Sequence, residues 1–364
     1  MQSDTVKIGM VGAGFMGQLA HLENYINIPG CKVVALAELR PQLRESVCRK
    51  FDIPRSYESH LDLLKDPEVE AVVVVTKRPV LGPIAYDCLR AGKHVITEKP
   101  MAASSEQALK LTDIAKKNDL IYAVGYMRRH DLGVQRAKLM LDELIESKEL
   151  GPIVFVRSHC FQGNSYCNID GHIVTNENVP DVIEGWPIAP NWIPENRRVD
   201  YAWFLNVFCH NFNLIRYLLG KTPRVDFARL DYQKGRCAVL DFGGFISVFQ
   251  AGYSSARAWD EFVEIHFEHG RLLIEMPPNL LRNVPARVVL YKQGNIQEVL
   301  FLQIDWSWAF KRQAEAFVKD VHHHEQPLSS AIDAVEDIKL IEEIWCNELS
   351  RSDCKVRKGE MTNV

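Results

Sequence analysis

The chain lacks an excess of positive charge: 43 Lys plus Arg stand against 47 Asp plus Glu in 364 residues, a formal net charge of -4. Binding through nucleic-acid phosphates favours a strongly basic surface, so nucleic acid is not expected as the main partner. Long hydrophobic runs are also missing. Purely apolar stretches such as Ala71 to Val75 fall far short of the roughly 20 residues that cross a bilayer. The opening Met1-Gln2-Ser3-Asp4-Thr5 has neither the basic nor the apolar region of a secretory signal. The expectation is a cytoplasmic protein without a membrane partner.

Cysteine is present, but not in pairs. Nine cysteines (31, 48, 88, 160, 167, 209, 237, 346 and 354) form no C-x-x-C. An odd, scattered set fits reduced thiols and excludes a disulfide framework or a zinc module as the organising element, so no metal site is expected. His322-His323-His324, near a predicted helix end, is read as a helix C-terminus partner or a solvated run.

What is there is an ordinary globular composition, 47% hydrophobic and 25% charged. At roughly 150 residues per domain the length suggests two domains. From Lys7 to about Val124, short β-rich runs (Ile8 to Val11, Val33 to Ala37, Val72 to Val75, His94 to Ile96, Ile121 to Val124) alternate with amphipathic helical stretches. Continuous apolar strands joined by helices imply a parallel sheet covered on both faces. After Leu150-Gly151-Pro152 the rhythm becomes successive strands: Ile153 to Arg157, Val225 to Tyr232, Ala238 to Phe242, Phe245 to Gln250, Phe262 to Phe267, Arg271 to Glu275 and Val288 to Tyr291. Turns at Gly243-Gly244 and His269-Gly270 favour a mainly antiparallel sheet. The fold class is therefore α/β plus α+β: a Rossmann dinucleotide-binding domain over residues 1–125 and an open, mainly antiparallel sheet domain over 126–364. Between Cys160 and Tyr201 a Pro-bearing stretch offers little periodicity, the mark of a functional or disordered loop.

Gly12-Ala13-Gly14-Phe15-Met16-Gly17 follows a predicted strand and opens a helix. In that context Gly12 serves the tight turn, Gly14 lets backbone approach a pyrophosphate, and Gly17 lets helix and strand pack closely. The helix start offers free N–H groups and a positive dipole end to phosphates. Glu38 ends the second strand, 21 residues after Gly17, where a carboxylate bonds the adenosine ribose. A 2'-phosphate there meets like charge, costing roughly 4 kcal/mol at 4 Å for an effective dielectric of 20. That points to NAD, with NADP the lesser alternative because Arg40 follows within reach of a phosphate.

Glu98-Lys99-Pro100 follows the strand His94-Val95-Ile96, at the sheet edge where ligands of open α/β folds bind. Together with the glycine fingerprint, Ala91 to Thr97, Gly125 to Asp131, Leu150-Gly151 and Leu218-Leu219-Gly220, it resembles the glucose-fructose oxidoreductase / inositol dehydrogenase / rhizopine catabolism (Gfo/Idh/MocA) family over most of the chain. The resemblance implies NAD(P)-dependent hydride exchange with a secondary hydroxyl or ketone of a sugar, amino sugar, inositol or derivative. It also implies that Lys99 lies near the nicotinamide and the reacting carbinol. The ordinary lysine pKa of about 10.4 suits base work poorly, so burial beside a cationic ring would have to lower it. The cofactor-binding candidates are Gly12, Gly14, Phe15, Met16, Gly17, Glu38, Arg40, Thr76, Glu98 and Lys99. Lys77 and Arg78 depart from the family's Thr-Pro-Asn and are read as either anion-facing or solvated.

Asn206, His210 and Asn213 share one face if their segment is helical. Relatives often carry Asp, His and Asp there, so only His210 matches. An amide orients but accepts no proton at neutral pH, and loss of a neighbouring carboxylate leaves an imidazole less basic. His210 is the candidate general base, Lys99 its partner on the hydroxyl proton, and Asn206 a substrate-orienting group. The substrate candidates are Arg128, Trp186, Trp192, Asn206 and His210, with Tyr166, Tyr201 and Trp203 as further aromatic faces. Glu177, Asp181, Glu184 and Glu195 suit an amino sugar, whereas Arg128, Arg129, Arg197 and Arg198 suit a phosphate; the sequence leaves this open. A noncatalytic NAD-binding sensor is the rival reading, and a homodimer or homotetramer is expected from the open sheet. Replacing Glu38 by Ser should narrow the preference for NAD over NADP, read as the ratio of kcat/KM with the two cofactors; an unchanged ratio places selection elsewhere.

Overall fold

The computed structural model describes residues 5–163, 169–180, 182–231, 235–253 and 259–360, with side chains as far as Arg351. Tyr166, Cys167, Asp181, Tyr232 and the Cys354 side chain lie outside the described residues. Two units form, each from separated stretches: residues 1–130, 169–206 and 309–335 make the first, and 131–168, 207–308 and 336–364 the second. A single cut at 125/126 is the expectation from sequence; instead, later segments return to complete the first unit. One reason is visible in its core, where Ala314, Phe317 and Val318 of the helix Ala309–His323 join Ile8, Met10 and Val33. Burying those rings and methyls costs little order in a preformed helix and removes apolar area from water.

The first unit holds six strands: β1 (Val6–Val11), β2 (Cys31–Ala37), β3 (Arg55–Tyr57), β4 (Ala71–Val74), β5 (His94–Thr97) and β6 (Tyr122–Val124). Their order is β3-β2-β1-β4-β5-β6, and all neighbours are parallel. Every residue of β4 is buried, as both-face coverage requires of an Ala-Val-Val-Val strand. Strand order reverses between β1 and β4, which opens a ligand crevice outside the carboxyl ends. The short edge strand β3 has no counterpart in the sequence reading.

The second unit holds β7 (Ile153–Gln162), β8 (Arg224–Asp231), β9 (Gly235–Asp241), β10 (Ile246–Tyr253), β11 (Asp260–Phe267), β12 (Gly270–Glu275), β13 (Arg287–Lys292) and β14 (Glu298–Phe301). The order is β14-β13-β12-β11-β7-β10-β9-β8, antiparallel throughout except between β7 and β10. Phe249 of β10 meets Phe208 and Phe212 of the helix Arg198–Leu219 at ring-centroid distances of 5.3 and 4.8 Å, covering one face. At the β8 edge, the Val225 and Ala228 N–H groups donate to Glu343 and Asn347 of the helix Ala331–Glu360. Those bonds satisfy donors that an open edge would leave for another strand. No helix among the described residues is long and apolar enough to cross a membrane.

Asp337, fully buried, accepts hydrogen bonds from Asn213 Nδ2 at 2.7 Å and Arg216 Nη1 at 2.6 Å. Asn213 therefore belongs to a structural cluster in the second unit, which corrects the expectation that it joins Asn206 and His210 in lining a pocket. An apolar interior makes a cation costly once its counter-ion is gone. Asp337→Ala should thus destabilise the protein by about 3–5 kcal/mol, measured by urea unfolding, and an unchanged midpoint would show the pair to be dispensable.

Candidate active site

The crevice at the β1/β4 reversal is framed by glycine. Gly12, at φ +95°, passes so close to β4 that a Cβ there would stand 2.2 Å from the Val75 carbonyl oxygen, and its N–H donates to Ala37 O at 2.9 Å. A Cβ on Gly17 would stand 2.5 Å from the Gly12 carbonyl oxygen, so the helix can lie on the turn only without a side chain. Among the described residues nothing lies within 4 Å of a Cβ built on Gly14; its outer side is open for a phosphate to approach the backbone. The following helix passes through a π-helical turn, Gly17–Leu22, before Glu23–Tyr25, a distortion frequent at functional sites. At the end of β4 the buried Thr76 Oγ1 has no hydrogen-bond partner among the described residues. An open Gly14 and an orphaned hydroxyl at the same sheet edge fit a dinucleotide.

Glu38 follows β2. Its carboxylate accepts from Ala13 N at 2.9 Å and from Arg40 Nε and Nη2 at 2.8 and 3.0 Å. Burial pushes its pKa up, yet the Arg40 guanidinium and the Ala13 amide more than offset this, and the group ends below the usual carboxylate value. It is ionised at neutral pH, as a ribose acceptor must be. Arg40 is committed to Glu38 in a bidentate pair and is not free for a phosphate.

Glu98 ends β5 with both oxygens engaged: His21 Nε2 lies 2.7 Å from Oε1, and the Lys99 N–H donates to Oε2 at 3.2 Å. The Lys99–Pro100 bond is cis. Lys99 Nζ donates to the Asn206 carbonyl oxygen at 2.8 Å, with Asn206 Oδ1 at 3.5 Å. The first unit thus brings together Lys99 and Asn206, two of the three catalytic candidates. Of an ammonium's three donors, this leaves at least one for a substrate hydroxyl. His210 belongs to the second unit, in the helix Arg198–Leu219, and is 9% exposed.

The remaining candidates separate. Phe15 meets the His172 ring edge-on at 5.0 Å, and Met16 precedes the π-helical turn. Trp186 lies over Gly82, where a Cβ would meet its ring at 2.6 Å. It also lines, with Trp203 and Ile188, a cavity of about 290 Å³. The polar walls there are Arg78 and Gln107, bonded already to Ala202 O and Pro187 O, so the cavity suits a polyhydroxyl ring poorly. Trp192 is 44% exposed and Tyr201 buried. Arg128 is buried, Arg129 pairs with Asp333 at 2.6 Å, and Arg198 donates to Ile193 O. His322 and His323 occupy the last turn of their helix and are exposed. Glu177 is no amino-sugar ligand here: it accepts from the Gln42 and Leu43 N–H groups at 2.9 and 3.0 Å, because the start of the helix Pro41–Phe51 offers unsatisfied amides. Sequence reasoning missed Gln18 and His21, fully buried or nearly so. Their signal was available as two polar residues at i, i+3 on the inner face of the fingerprint helix.

An oxidoreductase family model with an NAD-binding Rossmann fold matches residues 6–126. A scyllo-inositol 2-dehydrogenase (NAD(+)) of Bacillus subtilis is 30% identical over 348 residues, 92% of each chain. A myo-inositol 2-dehydrogenase of Thermotoga maritima is 23% identical over 344 residues, 90% of this chain and 92% of that one. Among solved structures, a levoglucosan dehydrogenase in complex with NADH and levoglucosan superposes with a TM-score of 0.74 at 18% identity, over 95% of this chain and 98% of its own; that likeness speaks for the fold.

Burial pushes the Glu98 carboxyl pKa up, but the His21 hydrogen bond, the His21 and Lys99 charges and the Lys99 amide outweigh it and hold the group below its ordinary value. The folded protein then binds fewer protons at this group than the unfolded chain. Its stabilisation is complete above the unfolded value and is lost as pH falls through the folded one. The gap in Tm between the protein and Glu98→Gln should be full near neutral pH, begin to narrow as pH falls to the ordinary glutamate value of about 4.3, and close only below the depressed folded value; a gap independent of pH would remove Glu98 from this role.

Proposed function

The chain belongs to the Gfo/Idh/MocA family of oxidoreductases, and on that premise we propose that it is an NAD-dependent dehydrogenase moving hydride reversibly between the nicotinamide and a secondary carbinol of a sugar, amino sugar, inositol or related cyclitol. The observation that carries this reading is the Lys99 ammonium held 2.8 Å from the Asn206 carbonyl, on the same sheet edge as the glycine fingerprint and Glu38. Gly12, Gly14 and Gly17 shape the turn for the pyrophosphate, and Glu38 accepts from the adenosine ribose.

Lys99 donates to the reacting oxygen, holding it and stabilising negative charge that develops as its proton leaves. Asn206 fixes Lys99 through its carbonyl and orients a hydroxyl through its amide. His210 takes the hydroxyl proton on oxidation and returns it on reduction, since a neutral imidazole carries one acceptor nitrogen. An Asn at 206 supplies no charge, which leaves the whole proton-transfer task to His210 and Lys99. The dehydrogenase activities of the relatives favour an enzyme over a noncatalytic sensor.

The reading extends to a cytoplasmic homodimer or homotetramer. Its support is the second sheet, where Phe161, Ile246, Tyr253 and Phe301 are all more than a third exposed, apolar area that a second copy would cover.

A screen of sugars, inositols and aminoglycoside-like compounds, followed by the absorbance of reduced nicotinamide, should reveal turnover. Lys99→Ala and His210→Gln should each lower it about 10²- to 10⁴-fold while dinucleotide binding, followed by fluorescence, persists. Unchanged turnover in either variant removes that residue from the mechanism, and NAD binding without any turnover across the panel favours the sensor.

A further inference from the structure

The helix Pro41–Phe51 starts two residues beyond the ribose-side carboxylate Glu38. Its N-cap, Arg40, makes no side-chain cap bond, and Pro41 stands at the first position without an N–H. The next two amides, of Gln42 and Leu43, are the donors such a helix start leaves unsatisfied. Both are taken by one carboxylate, Glu177, which comes from 135 and 134 residues away in sequence. Thr175 Oγ1 donates to the same group at 2.9 Å, and Arg40 feels its charge. The segment carrying Glu177 is anchored on two helices: on the fingerprint helix, Gln18 Oε1 accepts from Ile173 N at 2.8 Å and Gln18 Nε2 donates to Ile173 O at 3.0 Å, and on the helix Pro41–Phe51, Lys50 Nζ donates to Gly171 O. Glu177 is therefore held in place in part by the element that forms the cofactor turn.

A 2'-phosphate on the adenosine ribose is bound in such folds by a nearby Arg and by free amides at a helix start. Here Arg40 is consumed by Glu38, and the Gln42 and Leu43 amides by Glu177. We propose that Glu177 is a second cofactor-selecting residue, acting with Glu38 to exclude NADP by occupying the amides that would receive its 2'-phosphate. The inference rests on the NAD-dependent reading of the same site. Glu38 alone is an incomplete selector: removing it frees Arg40 but leaves the helix start filled and negative.

The test is binding, not turnover. NADH and NADPH are titrated by nicotinamide fluorescence against the protein, Glu38→Ser, Glu177→Gln and the double variant. A neutral glutamine keeps one acceptor oxygen for the helix start, so the fold is kept, while its amide nitrogen cannot accept and one of the two backbone N–H groups is released together with the charge. Glu177→Gln should lower the ratio of Kd for NADPH to that for NADH about tenfold, and by at least as much again in the Glu38→Ser background. Thr175→Ala, which leaves the carboxylate in place but loosens it, should shift the ratio in the same direction by less. In the unmodified protein the ratio should also fall with added salt, as surface carboxylates are screened. If both dinucleotides weaken in parallel and the ratio is unchanged in both backgrounds, Glu177 is only a helix cap and the inference is overturned while the NAD reading stands. If the unmodified protein binds neither dinucleotide, both fall.

Discussion

The close passage of Gly12 beneath the Val75 carbonyl oxygen is the constraint on which the first unit depends. It lets the chain leave β1 at the strand-order reversal and turn at once into a helix, which Gly17 allows to settle on the turn. That helix then aims His21 inward. His21 holds Glu98, Glu98 accepts from the Lys99 amide, and Lys99 reaches the Asn206 carbonyl. A side chain at position 12 would act on all of these contacts, because each inherits its position from the one before.

The same sheet edge shows how a protein keeps carboxylates ionised, in the largely buried Glu38 and Glu98 and in the more exposed Glu177 alike. Glu38, Glu98 and Glu177 each accept from at least one backbone amide, and each lies beside a cation or a polar hydrogen. Desolvation works against the charged form of all three, and the hydrogen bonds outweigh it. Asp337 applies the same rule in the second unit, with Asn213 and Arg216 as donors. The acids at the cofactor edge are thus fixed before any ligand arrives, a preorganisation that spares the bound state the cost of arranging them.

Much of the fold was legible because its signals are local. Val72 to Val75 and His94 to Ile96 read as buried parallel strands without any partner being known, and the fingerprint was specific because it sat between a strand and a helix. The second sheet was recognisable as mainly antiparallel from its turns. Short edge pairings such as β3 and β14, and the parallel joining of β7 to β10, were not, since pairing is decided by segments far apart. At the site, Lys99 and Glu38 stood out by motif, whereas Asn206 and Asn213 were both drawn in by helical spacing, and Asn213 looked like a companion only because that spacing says nothing about what lies opposite the helix.

The amino-acid order by itself determined the element types, the dinucleotide turn and the chemical cast of the site, for these rest on side-chain size, backbone freedom and spacing within a few residues. The tertiary structure alone decided the work of individual charges. Glu177 and Glu38 are the same residue type in polar surroundings, yet one closes a helix start and the other pairs with Arg40 and the Ala13 amide. That difference comes from which unsatisfied donor each carboxylate meets once the chain has folded, at separations of 135 residues for Glu177 and Gln42 and 25 for Glu38 and Ala13, and no local pattern encodes it.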